Sequence, residues 1–398
     1  MYRKSGIAAL VLAAAVLSGC KGGSDISTGS SLSTSSEVEN ISDNSTNSTI
    51  SSSSSETGNS TNSTDISTVS SSSEVENSSD ISTSSTIVEN PDPETGIFIA
   101  NHDPKNALKF IFDGLRVTIT GKIPPDGIDY VKNDRGAATK ITTSDDEFTI
   151  TLDFYSGADG YTSVRVYEKS GSRALYRLRF ADGKVCLPDC TEVAQKNMKV
   201  VEKAVEQPLE QVSEYVAAGS DKQAVREVLL QVKALSDEIC EGISDDYDKL
   251  RAIESWAANN IYYDYPAFDK GVPPETLSLK YILENKSTVC GGYSNIVAAL
   301  AAAQDIMVYN VHGTGAEGVF CLAEKPGEAV HEFNYAVIDG RVIWIDADMD
   351  SRCYYRRNGV YESGKSIHKF FDADISLISQ THRAKYAEHR DYFALLDD

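Results

Sequence analysis

Apolar and polar positions change rhythm several times along this chain. Ile7–Leu17 is an unbroken apolar run, and residues 22–90 then carry no aromatic residue at all. From about 97 to 185 the pattern has period two, as in Leu115-Arg-Val117-Thr-Ile119, Phe148-Thr-Ile150-Thr-Leu152, Val164-Arg-Val166 and Leu175–Phe180. Asp113-Gly114, Pro124–Gly127, Gly157–Gly160, Gly171 and Asp182-Gly183 punctuate it, so about six or seven short antiparallel strands in a small sandwich are expected. Residues 191–218 and 221–241 have helical spacing, and Ser244–Asp246 offers a cap for a third helix with an apolar face of Leu250, Ile253, Trp256 and Ala257. An Ala-rich run, Ile296–Ala303, predicts another helix. Beyond it, Asp339-Gly340 between alternating stretches predicts a hairpin in which Ile338 pairs with Arg341.

Charge narrows the partners. Twelve acids against Lys21 alone give residues 21–96 a net of −11, half of the chain's −22. So acidic a chain has no electrostatic footprint for nucleic acid, and no nucleic-acid partner is expected. Anionic lipid headgroups would repel it, so any membrane attachment must come from something other than charge.

The N-terminus supplies such a device. Arg3 and Lys4 precede the apolar run, which is too short for a bilayer span and suits a signal peptide over residues 1–20. It ends in Leu17-Ser18-Gly19-Cys20, which resembles the lipobox of bacterial lipoproteins. The resemblance implies acylation of Cys20 and a protein exported and lipid-anchored to the bacterial cell membrane. Residues 21–96 follow as a disordered tether. Residues 22–90 hold 37 Ser or Thr, with degenerate repeats such as Asp-Ile-Ser-Thr at 25, 65 and 80. Such a stretch cannot bury enough apolar surface to offset its ordering entropy.

The β module, residues 97–190, gathers no reactive cluster and reads as a spacer or binding domain. Cys186 and Cys190 flank Pro188 and could close a small disulfide. The chemistry is expected in residues 191–398, a helical bridge and a C-terminal core. Ser287 or Thr288 would cap the Ala-rich helix and place Cys290 in or near its first turn. The helix dipole and unpaired N–H groups there favour an anion, raising the thiolate fraction and offering an oxyanion hole. Gly291 and Gly292 keep that surface clear. In the expected hairpin register His331 and Asp346 are diagonal neighbours on one face, where a carboxylate can orient an imidazole. Asp348, directly opposite His331, is the alternative acid. His102, His312, His368, His382 and His389 show no metal spacing and read as surface or packing residues, the last three in a helical C-terminal segment.

Cys290, His331 and Asp346, 41 and 15 residues apart, resemble the transglutaminase-like family. The segment Trp256–Asp264 is similar to the stretch before the nucleophile in its bacterial members. The resemblance implies an α+β fold with a papain-like transglutaminase core, Cys290 as nucleophile, His331 as base and acid, and Asp346 as orienting carboxylate. Gly292 and Tyr293 would shape the site, and neither metal nor cofactor is implied. Two departures bear on the cleft: His331-Glu332-Phe333-Asn334 stands where the family has His-Ala-Trp-Asn, and Asp348-Met349 where it prefers Thr-Trp. The implied activity is acyl transfer or hydrolysis of protein or peptide amides, cell-wall peptides among them, through a thioester. The alternative is a non-catalytic surface binding protein that keeps the fold.

Overall fold

The computed structural model describes residues 96–122, 127–169, 173–316 and 328–397. The signal peptide, Cys20 and the Ser/Thr-rich stretch lie outside these residues. No helix among the described residues is long and apolar enough to cross a membrane.

The N-terminal part is β-structure: β1 (Ile97–Asn101), β2 (Leu108–Asp113), β3 (Arg116–Lys122), β4 (Ile128–Asn133), β5 (Ala137–Ser144), β6 (Glu147–Phe154), β7 (Gly160–Glu168), β8 (Arg173–Ala181) and β9 (Lys184–Cys186). They form two antiparallel sheets, ordered β1-β2-β3-β6-β5 and β4-β7-β8-β9. Alternation puts Val117, Ile119, Phe148, Ile150, Leu152 and Phe154 into the core. Rings from the two sheets meet there, Phe110 against Tyr176 at 5.3 Å and Phe154 against Phe180 at 5.0 Å. The strands outnumber the six or seven expected because β4 and β5 lie on sheet edges, where no residue is fully buried and little apolar alternation shows. The same apolar cluster continues into Phe333, Tyr335 and Trp344 of the C-terminal part.

Thr191–Val201 is α1, the two-residue β10 (Val205–Glu206) follows, and α2 is Leu209–Ala217. One helix over 191–218 was the expectation. Pro208 prevents it, since it lacks an N–H and disfavours helical geometry in the residue before it; it stands instead as the N-cap of α2. Then come α3 (Lys222–Ile239) and α4 (Asp246–Asn260), capped by the side chains of Asp221 and Asp245. Beyond them lie β11 (Tyr262–Asp264), α5 (Tyr265–Asp269), α6 (Leu279–Asn285), β12 (Ser287–Thr288), α7 (Cys290–Ala302), β13 (Val308–Ala316), β14 (Glu328–Ile338) and β15 (Arg341–Ile345). The chain closes with α8 (Ala347–Asp350), β16 (Tyr354–Tyr355), β17 (Tyr361–Glu362), α9 (Ile375–Thr381) and β18 (His382–His389).

The organising sheet runs β10-β18-β13-β14-β15, and α7 lies on β13 and β14. Gly291 to Ala301 of α7 are all buried, so the Ala-rich run is an interior helix. Asp339 and Gly340 take φ of 52° and 75°, the geometry of a two-residue primed turn. The β14–β15 register is the expected one, from Ile338 opposite Arg341 to Asn334 opposite Ile345. Residues 382–389 form a strand, where the sequence reading had a helical segment; in β18 they pair with β13.

Candidate active site

Cys290 is the first residue of α7 and is half-buried. The expected cap is not used. Val289 is the N-cap and has no side-chain oxygen, while Ser287 and Thr288 belong to β12. The Ser287 hydroxyl donates to Asp264 Oδ2 at 2.9 Å, and Thr288 Oγ1 donates to the Thr276 carbonyl at 2.7 Å. Both hydroxyls are committed to holding β12, so neither caps the first turn of the helix.

The glycines have specific reasons. A Cβ on Gly292 would stand 1.8 Å from Thr288 Oγ1, so only glycine lets the helix pass β12 this closely. A Cβ on Gly291 would stand 3.1 Å from Glu332 Oε2. Tyr293 is buried behind the helix, its hydroxyl donating to the Ile261 carbonyl at 2.5 Å and lying 3.3 Å from Ser351 Oγ. It ties the start of α7 to the ends of α4 and α8.

His331 lies on β14 and is 7% exposed. Its Nε2 donates to Asp346 Oδ2 at 2.7 Å, which leaves Nδ1 for the thiol. Cys290 Sγ, a His331 ring nitrogen and an Asp348 carboxylate oxygen all lie within 4.8 Å of one another. Asp346 leaves the strand where β15 ends and caps α8, Oδ1 accepting from the Met349 N–H at 2.9 Å. Asp348 therefore rides on α8 and is not cross-strand to His331 as the extended register implied.

A fifth side chain completes the cluster. His382, fully buried at the start of β18, donates from Nε2 to the same Asp346 Oδ2 at 2.7 Å. Sequence reasoning treated it as surface or packing. It reaches Asp346 because β18 and β14 flank β13, whose Gly313 and Gly315 have no side chains to obstruct them. A Cβ at Gly315 would meet the His331 side chain at 3.1 Å, and one at Gly313 would meet the Arg383 carbonyl at 2.2 Å. Glycines inside a strand signal such close approach, and Gly313-x-Gly315 was the available clue.

The charges follow from this geometry. Burial opposes a charge on His331, but the Asp346 carboxylate and the contact with Cys290 hold it well above the ordinary imidazole value. Burial likewise raises Asp346, yet His331 and then His382 outweigh it and hold the carboxyl well below the usual range. On His382 burial prevails and its value falls. Asp346 thus faces one imidazolium and one neutral imidazole at neutral pH. Asp348 is pushed up to about 7, by burial first and the Asp346 charge second.

Other expectations fare differently. Cys186 is a free thiol and Cys190 is disulfide-bonded, so the two do not pair with each other. His312 lies between Glu332 and Glu388, at 3.4 and 3.1 Å.

Residues 233–349 match the model of the Transglutaminase-like superfamily. This part of the chain is a transglutaminase-like domain. The match takes in Cys290, His331, Asp346 and Asp348 and stops short of His382. Among solved structures the chain is similar to a candidate cysteine protease from Cytophaga hutchinsonii, with 14% identity over 65% of this chain and 80% of that one and a TM-score of 0.26. It is similar also to a candidate protease from Parabacteroides distasonis (11% identity, 65% of this chain, 44% of that chain, TM-score 0.24) and to a TGase (17%, 59%, 49%, 0.25). It spans less than half the length of the last two. No curated protein matches the chain.

Proposed function

We propose that the protein is a cysteine enzyme that cleaves or transfers protein and peptide amides through a thioester on Cys290, held at the outer face of a bacterial membrane by a lipid on Cys20. The observation that carries the reading is the unbroken series from the half-buried Cys290 at the start of α7, through His331, to Asp346. The reacting form is the Cys290 thiolate paired with the His331 imidazolium, whose charge Asp346 stabilises. The thiolate attacks the amide carbonyl, and the oxyanion forms against the first turn of α7. There the Gly292 and Tyr293 N–H groups return to the Val289 carbonyl, so those of Cys290 and Gly291 are the candidate donors. The imidazolium then gives its proton to the leaving nitrogen, and the thioester passes to water or an amine. Water is the default acceptor at a site that reaches solvent, which favours hydrolysis. The substrate is a protein or peptide, cell-wall peptides included, presented beyond the Ser/Thr-rich tether of residues 21–96. The β-strands before residue 190 serve as a spacer or binding module of sandwich type.

The test is turnover of a glutamine-containing peptide and of casein by the full chain, beside Cys290→Ala. The expected outcome is release of amine or ammonia, an acyl adduct on the Cys290 peptide by mass spectrometry, and loss of both in Cys290→Ala at unchanged thermal unfolding. Absence of any adduct or turnover in the unmutated chain would favour the binding protein.

A further inference from the structure

The thiol, imidazole and carboxylate of Cys290, His331 and Asp348 lie within 4.8 Å of one another and converge where Cys290 and Asp348 reach solvent. We propose that these three side chains bind a divalent cation of the zinc type, which switches the nucleophile off. Zinc takes thiolate at about 2.3 Å and imidazole or carboxylate at about 2.0–2.2 Å, which sets donors roughly 3.5 Å apart around a tetrahedron. Closing the trio by about an ångström meets that requirement. The partly exposed side supplies water as the fourth ligand. A mixed sulfur, nitrogen and oxygen set suits zinc and excludes the all-oxygen preference of calcium or magnesium.

A second observation points the same way. Metal-binding histidines almost always give their other N–H to a carboxylate, which fixes the ring and raises its basicity. His331 does this already, through Nε2 to Asp346, so Nδ1 is the nitrogen aimed at the thiol side. Asp346 is itself held by His382 Nε2 and the Met349 N–H. The ligand's support is therefore complete before any ion arrives. On binding, the one proton that the thiol and His331 Nδ1 share in the nucleophile–base pair leaves to solvent, and the sulfur's charge is committed to the ion.

That the ion is inhibitory rests on the reading of Cys290 as nucleophile; that it binds does not. The experiment is alkylation of Cys290 by iodoacetamide in the full chain, followed by peptide mass spectrometry across a Zn2+ titration. Zinc should slow alkylation at least tenfold at saturation, and Asp348→Asn should need at least tenfold more zinc for half-protection. No protection by zinc, or the same half-protecting concentration in both proteins, overturns the site. Should the variant not fold, Co2+ added to the unmutated chain decides: a thiolate-to-cobalt charge-transfer band, absent in Cys290→Ser, supports the site, and no band overturns it. Since none of these readouts is turnover, a hydrolytically inactive chain can still bind zinc, and an active one can fail to.

Discussion

Two histidine–carboxylate pairs in the C-terminal half of this protein can be set side by side, one touched by a thiol and the other by a serine hydroxyl. In one, Cys290 meets His331, which bonds Asp346. In the other, Ser366 Oγ lies 2.7 Å from His368 Nε2, and His368 Nδ1 lies 3.0 Å from Glu254 Oε2. The second has the connectivity of a nucleophile, base and acid, yet its physics differs. Ser366 is 3% exposed and its oxygen already accepts from Asn259 Nδ2 at 2.8 Å. Burial works against a charge on His368, but Glu254 overcomes it and lifts the group to about 9, so at neutral pH the ring has no lone pair for a hydroxyl proton. A charged imidazole is the natural companion of a thiolate and a poor base for an alcohol. Connectivity alone therefore does not distinguish a site from a strut; the acidity of the nucleophile and its access to solvent do.

The sharpest way to break this contrast is to remove each imidazole. His331→Ala should lower turnover by about 10²–10⁴-fold, the usual contribution of a positioned acid–base group, and slow alkylation of Cys290. His368→Ala should leave alkylation unchanged and cost about 3–5 kcal/mol of stability in urea unfolding, because it strands the buried Glu254 carboxylate. Equal slowing of alkylation in both variants would erase the distinction.

A smaller effect separates the pairs by pH. His368 binds its proton more tightly in the folded state, at about 9 against the ordinary 6.5. Between those values the folded protein holds more protons than the unfolded chain, so stability falls as pH rises. The contribution is complete below the ordinary value and is lost as pH passes about 9, and a gap that wide corresponds to roughly 3 kcal/mol. Unfolding free energy of the native chain minus that of His368→Gln should shrink by this amount between pH 6 and 10. A constant difference would show that Glu254 does not hold the proton there.

How much of this was legible before the fold was known depends on range. The hairpin register could be counted outward from Asp339-Gly340 as far as Asn334 opposite Ile345, because a two-residue turn fixes the pairing locally; His331 and Asp346 lie beyond that ladder and meet through their side chains. Cys290 at a helix start was likewise local, since an Ala-rich run must begin somewhere near Val289. The cap was misassigned because Ser287 and Thr288 have distant partners, Asp264 and the Thr276 carbonyl, which no local pattern reveals. His382 was missed for the same reason: it joins Asp346 across β13 from 36 residues away. Edge strands such as β5 are nearly silent in hydrophobicity, and the Cys190 disulfide obeys three-dimensional proximity, where the sequence offered only the nearness of Cys186.

The smallest expected effect is the most discriminating for the second pair. Ser366→Ala removes one hydroxyl from between Asn259 and His368 and leaves the His368–Glu254 bond in place. If the group is a strut, the loss is about 1 kcal/mol, the usual net worth of a hydrogen-bonded hydroxyl. Turnover and Cys290 alkylation should not change, and phenylmethylsulfonyl fluoride should leave no adduct on the Ser366 peptide. An adduct there, or turnover lost in Ser366→Ala and kept in Cys290→Ala, would reverse the assignment of nucleophile. Stereochemistry opposes that outcome as well as electrostatics. Ser366 would have to release Asn259, move from a site almost closed to water and lose its proton to an imidazole that is already charged, whereas Cys290 needs only a carbonyl brought to the start of α7.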